Sequence, residues 1–165
     1  MFPVNTVKND ANEERQVQER MRRTADGDLK KEQEDKAQQS SCFVCGAENP
    51  HGMRLRFETT PAGESAAEWV PERFLEGFRG VIHGGIVSTA LDEAMSKAVS
   101  ASGLRAYTAE LRVRLRHTVV PESRVQIRGW INGRNKRLIR TEAAITDSEG
   151  LELAHGWGSF LVVSD

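Results

Sequence analysis

Between Gly84 and Ala101, apolar residues return at three- and four-residue steps: Ile86, Val87, Ala90, Leu91, Ala94, Met95 and Ala98. That spacing builds one apolar face and predicts an amphipathic helix, ending near Gly103. Ser88, Asp92 and Ser96 lie four apart and make a narrow polar stripe on another face. Elsewhere the period is two. Residues 54–59 alternate Leu55 and Phe57 with charge, and residues 64–70 place Ala67 and Trp69 on one side. Residues 107–120 set Ala109, Leu111, Val113 and Leu115 against Glu110, Arg112, Arg114 and Arg116, the pattern of a half-buried strand. Val125, Ile127 and Ile131 mark a further strand closed by Asn132-Gly133 as turn residues. Strands over 138–146 and 151–163 follow, with turns at 60–63 and 147–150 and a short connector, one helical turn, at 72–77. One long helix and about six one-sided strands predict an α+β domain, with an antiparallel sheet wrapped around the central helix. Such a sheet leaves edges that a dimer would cover.

Residues 1–40 break this pattern. They are dense in both charge signs and in Gln, and Val17, Met21 and Leu29 are too few for a core. They read as a charged, disordered tail ahead of one folded domain at 41–165. A net charge of -1 gives no case for nucleic acid as a partner. No apolar run approaches the ~20 residues of a membrane span, and the start of the chain lacks the apolar core of a signal peptide. Two cysteines do not make a disulfide framework, so a reducing, cytoplasmic setting is expected.

Candidate chemistry gathers at the helix. His83-Gly84-Gly85 opens it with no Ser, Thr, Asp or Asn to cap the first turn. Its first N–H groups then lack partners, the helix end carries partial positive charge, and bare glycine backbone lets a ligand oxygen approach. Asp92 follows about two and a half turns on, a base or nucleophile on the same rigid element. Taken alone, the motif fits a plain turn and a solvated Asp as well. Cys42-Phe43-Val44-Cys45 is half of a zinc site, with His51 as a third donor and no second pair. The simpler reading is two small, half-buried thiols in a turn-rich loop, with no tightly bound zinc and no metal at the site.

Four segments in order, CFVCGAENPHGMRLRF, EGFRGVIHGGIVSTALDEAM, YTAELRVRLRHTVVP and AHGWGSFLVV, together resemble hotdog-fold acyl-CoA thioesterases of the phenylacetate-degradation (PaaI) type. The resemblance covers nearly all of 41–163 and implies a hotdog fold and hydrolysis of an acyl-CoA to free acid and CoA, in fatty acid metabolism and with no cofactor. It implies a homodimer, or a dimer of dimers, with the helix of one subunit meeting the HGG turn of the other. The carboxylate would be Asp92, the oxyanion donor Gly84 or Gly85, the turn-shaping residue His83 and the water-positioning residue Thr108. Substrate contacts would fall on Gly84, Gly85, Ser88 and Thr108. Two departures stand out: residues 76–80 carry no amide side chain, and residues 117–119 lack a proline common there. A non-catalytic acyl-CoA-binding module and a hydratase or dehydratase on the same fold are the alternatives. The acyl group is not readable from Trp69, Trp130 or Trp157.

Overall fold

The computed structural model describes residues 41–163, so the tail assigned to residues 1–40 lies outside the described residues. Eight strands and one long helix follow in order: β1 (Glu58–Thr59), β2 (Ser65–Trp69), β3 (Glu76–Phe78), β4 (Val81–Ile82), α1 (Gly84–Ala101), β5 (Ala106–Leu115), β6 (Val125–Asn135), β7 (Leu138–Asp147) and β8 (Glu152–Val162). Six strands form one sheet in the order β1-β2-β6-β7-β8-β5, all neighbours antiparallel. β3 and β4 pair as a separate small hairpin that leads into α1.

The predicted helix face is the buried one. Val87, Ala90, Leu91, Ala94, Met95, Ala98 and Val99 are buried, and they pack on Ile127, Ile139, Ala143, Ile145 and Phe160 from the inner face of the sheet. Glycines inside strands allow this close approach. A Cβ on Gly129 would lie 2.4 Å from the Ala94 carbonyl oxygen, and one on Gly158 would lie 2.9 Å from Met95 Sδ. Ser65 Oγ donates to the same Ala94 oxygen at 2.6 Å and ties β2 to the helix. Backbone cannot move aside as a flexible side chain can. Gly129→Ala should therefore destabilise the fold by roughly 1–3 kcal/mol through overpacking. Urea unfolding of the two proteins measures this, and an unchanged midpoint would refute the tight helix–sheet contact.

Several strand expectations need correction. Residues 54–57 do not join the sheet: Met53 and Leu55 N–H donate to Phe43 and Val44 carbonyls at 2.8 Å, and Arg54 sits at φ 53°. Asn132-Gly133 is not a turn. β6 runs through it with a bulge, and the turn falls at Lys136-Arg137, with Lys136 at φ 54°. The strand expected over 107–120 ends at Leu115, because Arg116 and His117 N–H both turn to the Leu153 carbonyl. Within one chain β5 is not half-buried. Tyr107, Leu111 and Leu115 are 59%, 38% and 52% exposed on an edge strand whose other side is unpaired.

Candidate active site

The first turn of α1 is capped, contrary to the expectation from the sequence. His83 is the N-cap, and its Nδ1 accepts from Gly85 N–H at 2.9 Å. An imidazole with an unprotonated Nδ1 does the work usually left to Ser or Asp. His83 N–H goes to the Leu75 carbonyl at 2.9 Å, and Ile86 N–H to the His83 carbonyl at 2.9 Å. Of the opening amides, Gly84 N–H is the one left without an acceptor among the described residues. Of the two glycines, Gly84 alone therefore keeps an amide free to meet a ligand oxygen. Ser88, expected at the substrate, donates its hydroxyl to the Gly84 carbonyl at 2.8 Å.

Asp92 and Thr108 are brought together. Thr108 Oγ1 on β5 donates to Asp92 Oδ1 at 2.9 Å. Burial pushes the Asp92 carboxyl above the ordinary carboxylate range; the Thr108 hydrogen bond pulls against that, and the Glu93 charge adds to it. Glu93, one step round the helix, faces elsewhere. Its Oε2 accepts from Cys42 Sγ at 3.9 Å, and its Oε1 lies 3.5 Å from Lys97 Nζ. Cys42, Cys45 and Glu93 hold their donor atoms within 4.8 Å of one another. His51, the third donor considered from the sequence, is exposed and outside this group. Burial and Glu93 push the Cys45 thiol up to about 12. Burial alone would lower Lys97; the charges of Glu93 and Cys45 raise it instead.

Sequence reasoning offered no signal that Glu93 and Lys97 meet the CxxC loop. Nor did it flag Glu76, whose Oε1 is buried without a hydrogen bond in the stretch that lacks an amide side chain.

A cavity of about 720 Å³ opens at the HGG end. Phe78, Val81, Ile82, Val87, Leu115 and Val119 give it apolar walls beside His83 and Gly84. None of the three tryptophans lines it: Trp69 is in the core, and Trp130 and Trp157 flank His155 on the outer face of the sheet. Asp92 does not line it either. Gly84 and Asp92 stand eight residues apart on one helix, ~12 Å along its axis, and N–H groups at the start of a helix point away from its body. A donor ~3 Å from the carbonyl oxygen and an attacking group ~3–3.5 Å from the carbon leave no room for such a gap. The two cannot serve one carbonyl from the same chain.

The thioesterase superfamily model matches residues 79–154. A search of curated proteins returned no match. Among solved structures, a thioesterase superfamily protein shares 23% identity at a TM-score of 0.72, over 94% of this chain and 86% of its own. A hypothetical thioesterase from Streptococcus pneumoniae TIGR4, solved with coenzyme A, shares 17% identity at 0.63, over 67% of this chain and 87% of its own. The same protein was also solved as an Asp→Ala and as a Thr→Ala mutant. The Escherichia coli PaaI protein of the phenylacetic acid degradation operon shares 12% identity at 0.63, over 68% of this chain and 81% of its own. The family match across α1 and most of the sheet, and a sheet wrapped around one helix, show a hotdog fold similar to that of the thioesterase superfamily.

Proposed function

We propose that the chain hydrolyses acyl-CoA thioesters at a site shared by two subunits, with Asp92 of one and Gly84 of the partner subunit. The observation that carries this reading is the half-buried Asp92 carboxylate held at 2.9 Å by Thr108. In the S. pneumoniae protein the two mutated residues, an Asp and a Thr, are sixteen positions apart, and Asp92 and Thr108 have that same spacing. Its complex with coenzyme A supports the substrate class.

Asp92 takes a proton from water as the water oxygen adds to the thioester carbon; in the covalent variant the carboxylate itself adds to that carbon, CoA leaves from an acyl–Asp92 anhydride, and water then cleaves the anhydride to free acid and Asp92, releasing the proton. The carbonyl oxygen gains charge and is met by the Gly84 N–H at the positive end of a helix. The C–S bond then breaks and CoA leaves as thiolate, which takes up the proton. His83 fixes the turn that aims the Gly84 amide, and Ser88 braces it by holding the Gly84 carbonyl. The apolar cavity beside this turn takes the acyl or pantetheine portion. β5 supplies the dimer contact: its exposed Tyr107, Leu111 and Leu115 and its unpaired edge lie beside Thr108.

The direct experiment is a panel of short, medium, long and aryl acyl-CoAs with a thiol reagent to detect CoA. Released CoA supports hydrolysis. Binding without release on every substrate would favour a non-catalytic module, and water added to an enoyl-CoA would favour a hydratase.

A pH prediction follows from the Asp92 environment. The carboxylate must be ionised to act, so kcat/KM falls as pH drops through its raised pKa. Thr108→Val removes the hydrogen bond that lowers that pKa, so the acid limb should move to higher pH. The pH profiles of both proteins measure this, and a limb moving to lower pH would contradict it.

A further inference from the structure

The CxxC loop and Glu93 take no part in this chemistry, yet they build a second constellation. We infer that Cys42, Cys45 and Glu93 bind a thiophilic divalent ion of the zinc class, which ties the CxxC loop to α1. Two thiolates and one carboxylate are a ligand set that zinc accepts, and thiolate sulfur selects against the hard cations magnesium and calcium. The donor atoms lie within 4.8 Å of one another. Cys42 Sγ and Glu93 Oε2 are 3.9 Å apart. A tetrahedral ion with ~2.3 Å bonds to sulfur has donor–donor edges of about 3.8 Å, so small side-chain adjustments complete the set. Three protein ligands leave the fourth position for water.

The loop geometry suits a bound ion. Val44 N–H points at Cys42 Sγ at 3.4 Å, and Gly46 N–H closes the loop on the Cys42 carbonyl at 2.9 Å. The loop is also fixed: Met53 and Leu55 N–H donate back to it, Val44 and Leu55 are buried, and a Cβ on Gly52 would lie 2.7 Å from the Phe43 carbonyl oxygen. Little ordering is left for the ion to impose. Lys97, one turn beyond Glu93, holds Oε1 at 3.5 Å while Oε2 faces the sulfur. Such outer partners orient metal ligands. The charges close as well: two thiolates and a carboxylate exceed a divalent ion by one negative charge, and the Lys97 ammonium balances it. The expectation of no bound zinc rested on the lack of further donors, and Glu93 is a third one, fifty-one residues from Cys42.

The test uses the full chain, reduced and stripped of metal, titrated with zinc against a chromophoric chelator and separately with cobalt(II). The expected result is about one ion per chain, a thiolate-to-cobalt charge-transfer band and a raised melting temperature with zinc. Cys42→Ser and Cys45→Ser should each abolish the band, and Glu93→Gln should weaken zinc at least ~10-fold. Circular dichroism checks that the variants fold; if they do not, the wild-type cobalt band decides by itself. No saturable binding to the reduced protein overturns the inference. So does a band that survives both Cys→Ser changes, or zinc affinity unchanged in Glu93→Gln. A chain isolated with a Cys42–Cys45 disulfide that gives no cobalt band after reduction would assign the pair to redox chemistry instead.

Discussion

Asp92→Asn is expected to lower kcat on an acyl-CoA by ~10²–10⁴, equivalent to about 2.7–5.5 kcal/mol of barrier, while leaving the fold intact. The change is nearly isosteric, and Thr108 Oγ1 can still donate to the amide oxygen at this position. Burial already disfavours the charged carboxylate, so a neutral amide carries no added desolvation cost. What is lost is the basic oxygen. Acyl-CoA binding should survive, because the helix N-terminus is untouched. Glu93→Gln is the matched comparison. Its carboxylate faces Cys42 and Lys97, and a change there should cost less than ~10-fold in kcat. Steady-state kinetics with melting temperatures distinguish the two. A dead Glu93→Gln beside a nearly normal Asp92→Asn would reverse the assignment of the carboxylate.

Gly84→Pro is expected to lower kcat by ~10²–10³, the usual cost of removing one oxyanion donor. Proline is well tolerated at the first position of a helix, where its missing N–H has no helical partner. His83 already holds φ -56° and ψ 130°, the conformation that a residue before proline prefers. A Cβ at Gly84 would meet Leu115 Cδ1 at 2.8 Å, the far end of a flexible side chain that can turn away. The variant therefore deletes the amide donor with little change to the backbone. Unchanged kcat in a folded Gly84→Pro protein would remove Gly84 from the oxyanion role.

How much of this was legible in the sequence varied with the kind of signal. The helix was: its 3.6-residue period runs from Gly84, the helix ends at Ala101, two residues short of Gly103, and Gly103 turns the chain away at φ 76°. The strands β6, β7 and β8 at the middle of the sheet were legible from alternation over ten or eleven residues, though not which neighbours they would take. β3 and β4 were not, because two or three residues are too few to show a period. Asn132-Gly133 is favoured turn chemistry that the chain uses as a bulge, while the actual turn is carried by Lys136, a residue with no such preference. Alternation marked one side of β5 as apolar but could not say which chain would cover it, and within one chain Leu111 and Leu115 stay open. Asp92 and Thr108 were found through resemblance, and their hydrogen bond shows that the fold joins them. The His83 cap was missed because His is not among the favoured capping residues, and the Cys42–Glu93 contact because spacing in sequence carries no information across fifty-one residues.

The ~12 Å between Gly84 and Asp92 on one helix makes the shared site the claim most open to direct test. Asp92→Asn and Gly84→Pro chains, each inactive alone, can be co-expressed with different tags and the mixed assembly purified through both. In a shared site, one of the two sites of a mixed dimer has both defects and the other has neither. The mixed dimer should then release CoA at about half the wild-type rate. If each chain built its own site, both would carry a defect, and a mixed dimer with no more activity than its parents would contradict the sharing of Asp92 and Gly84 between subunits.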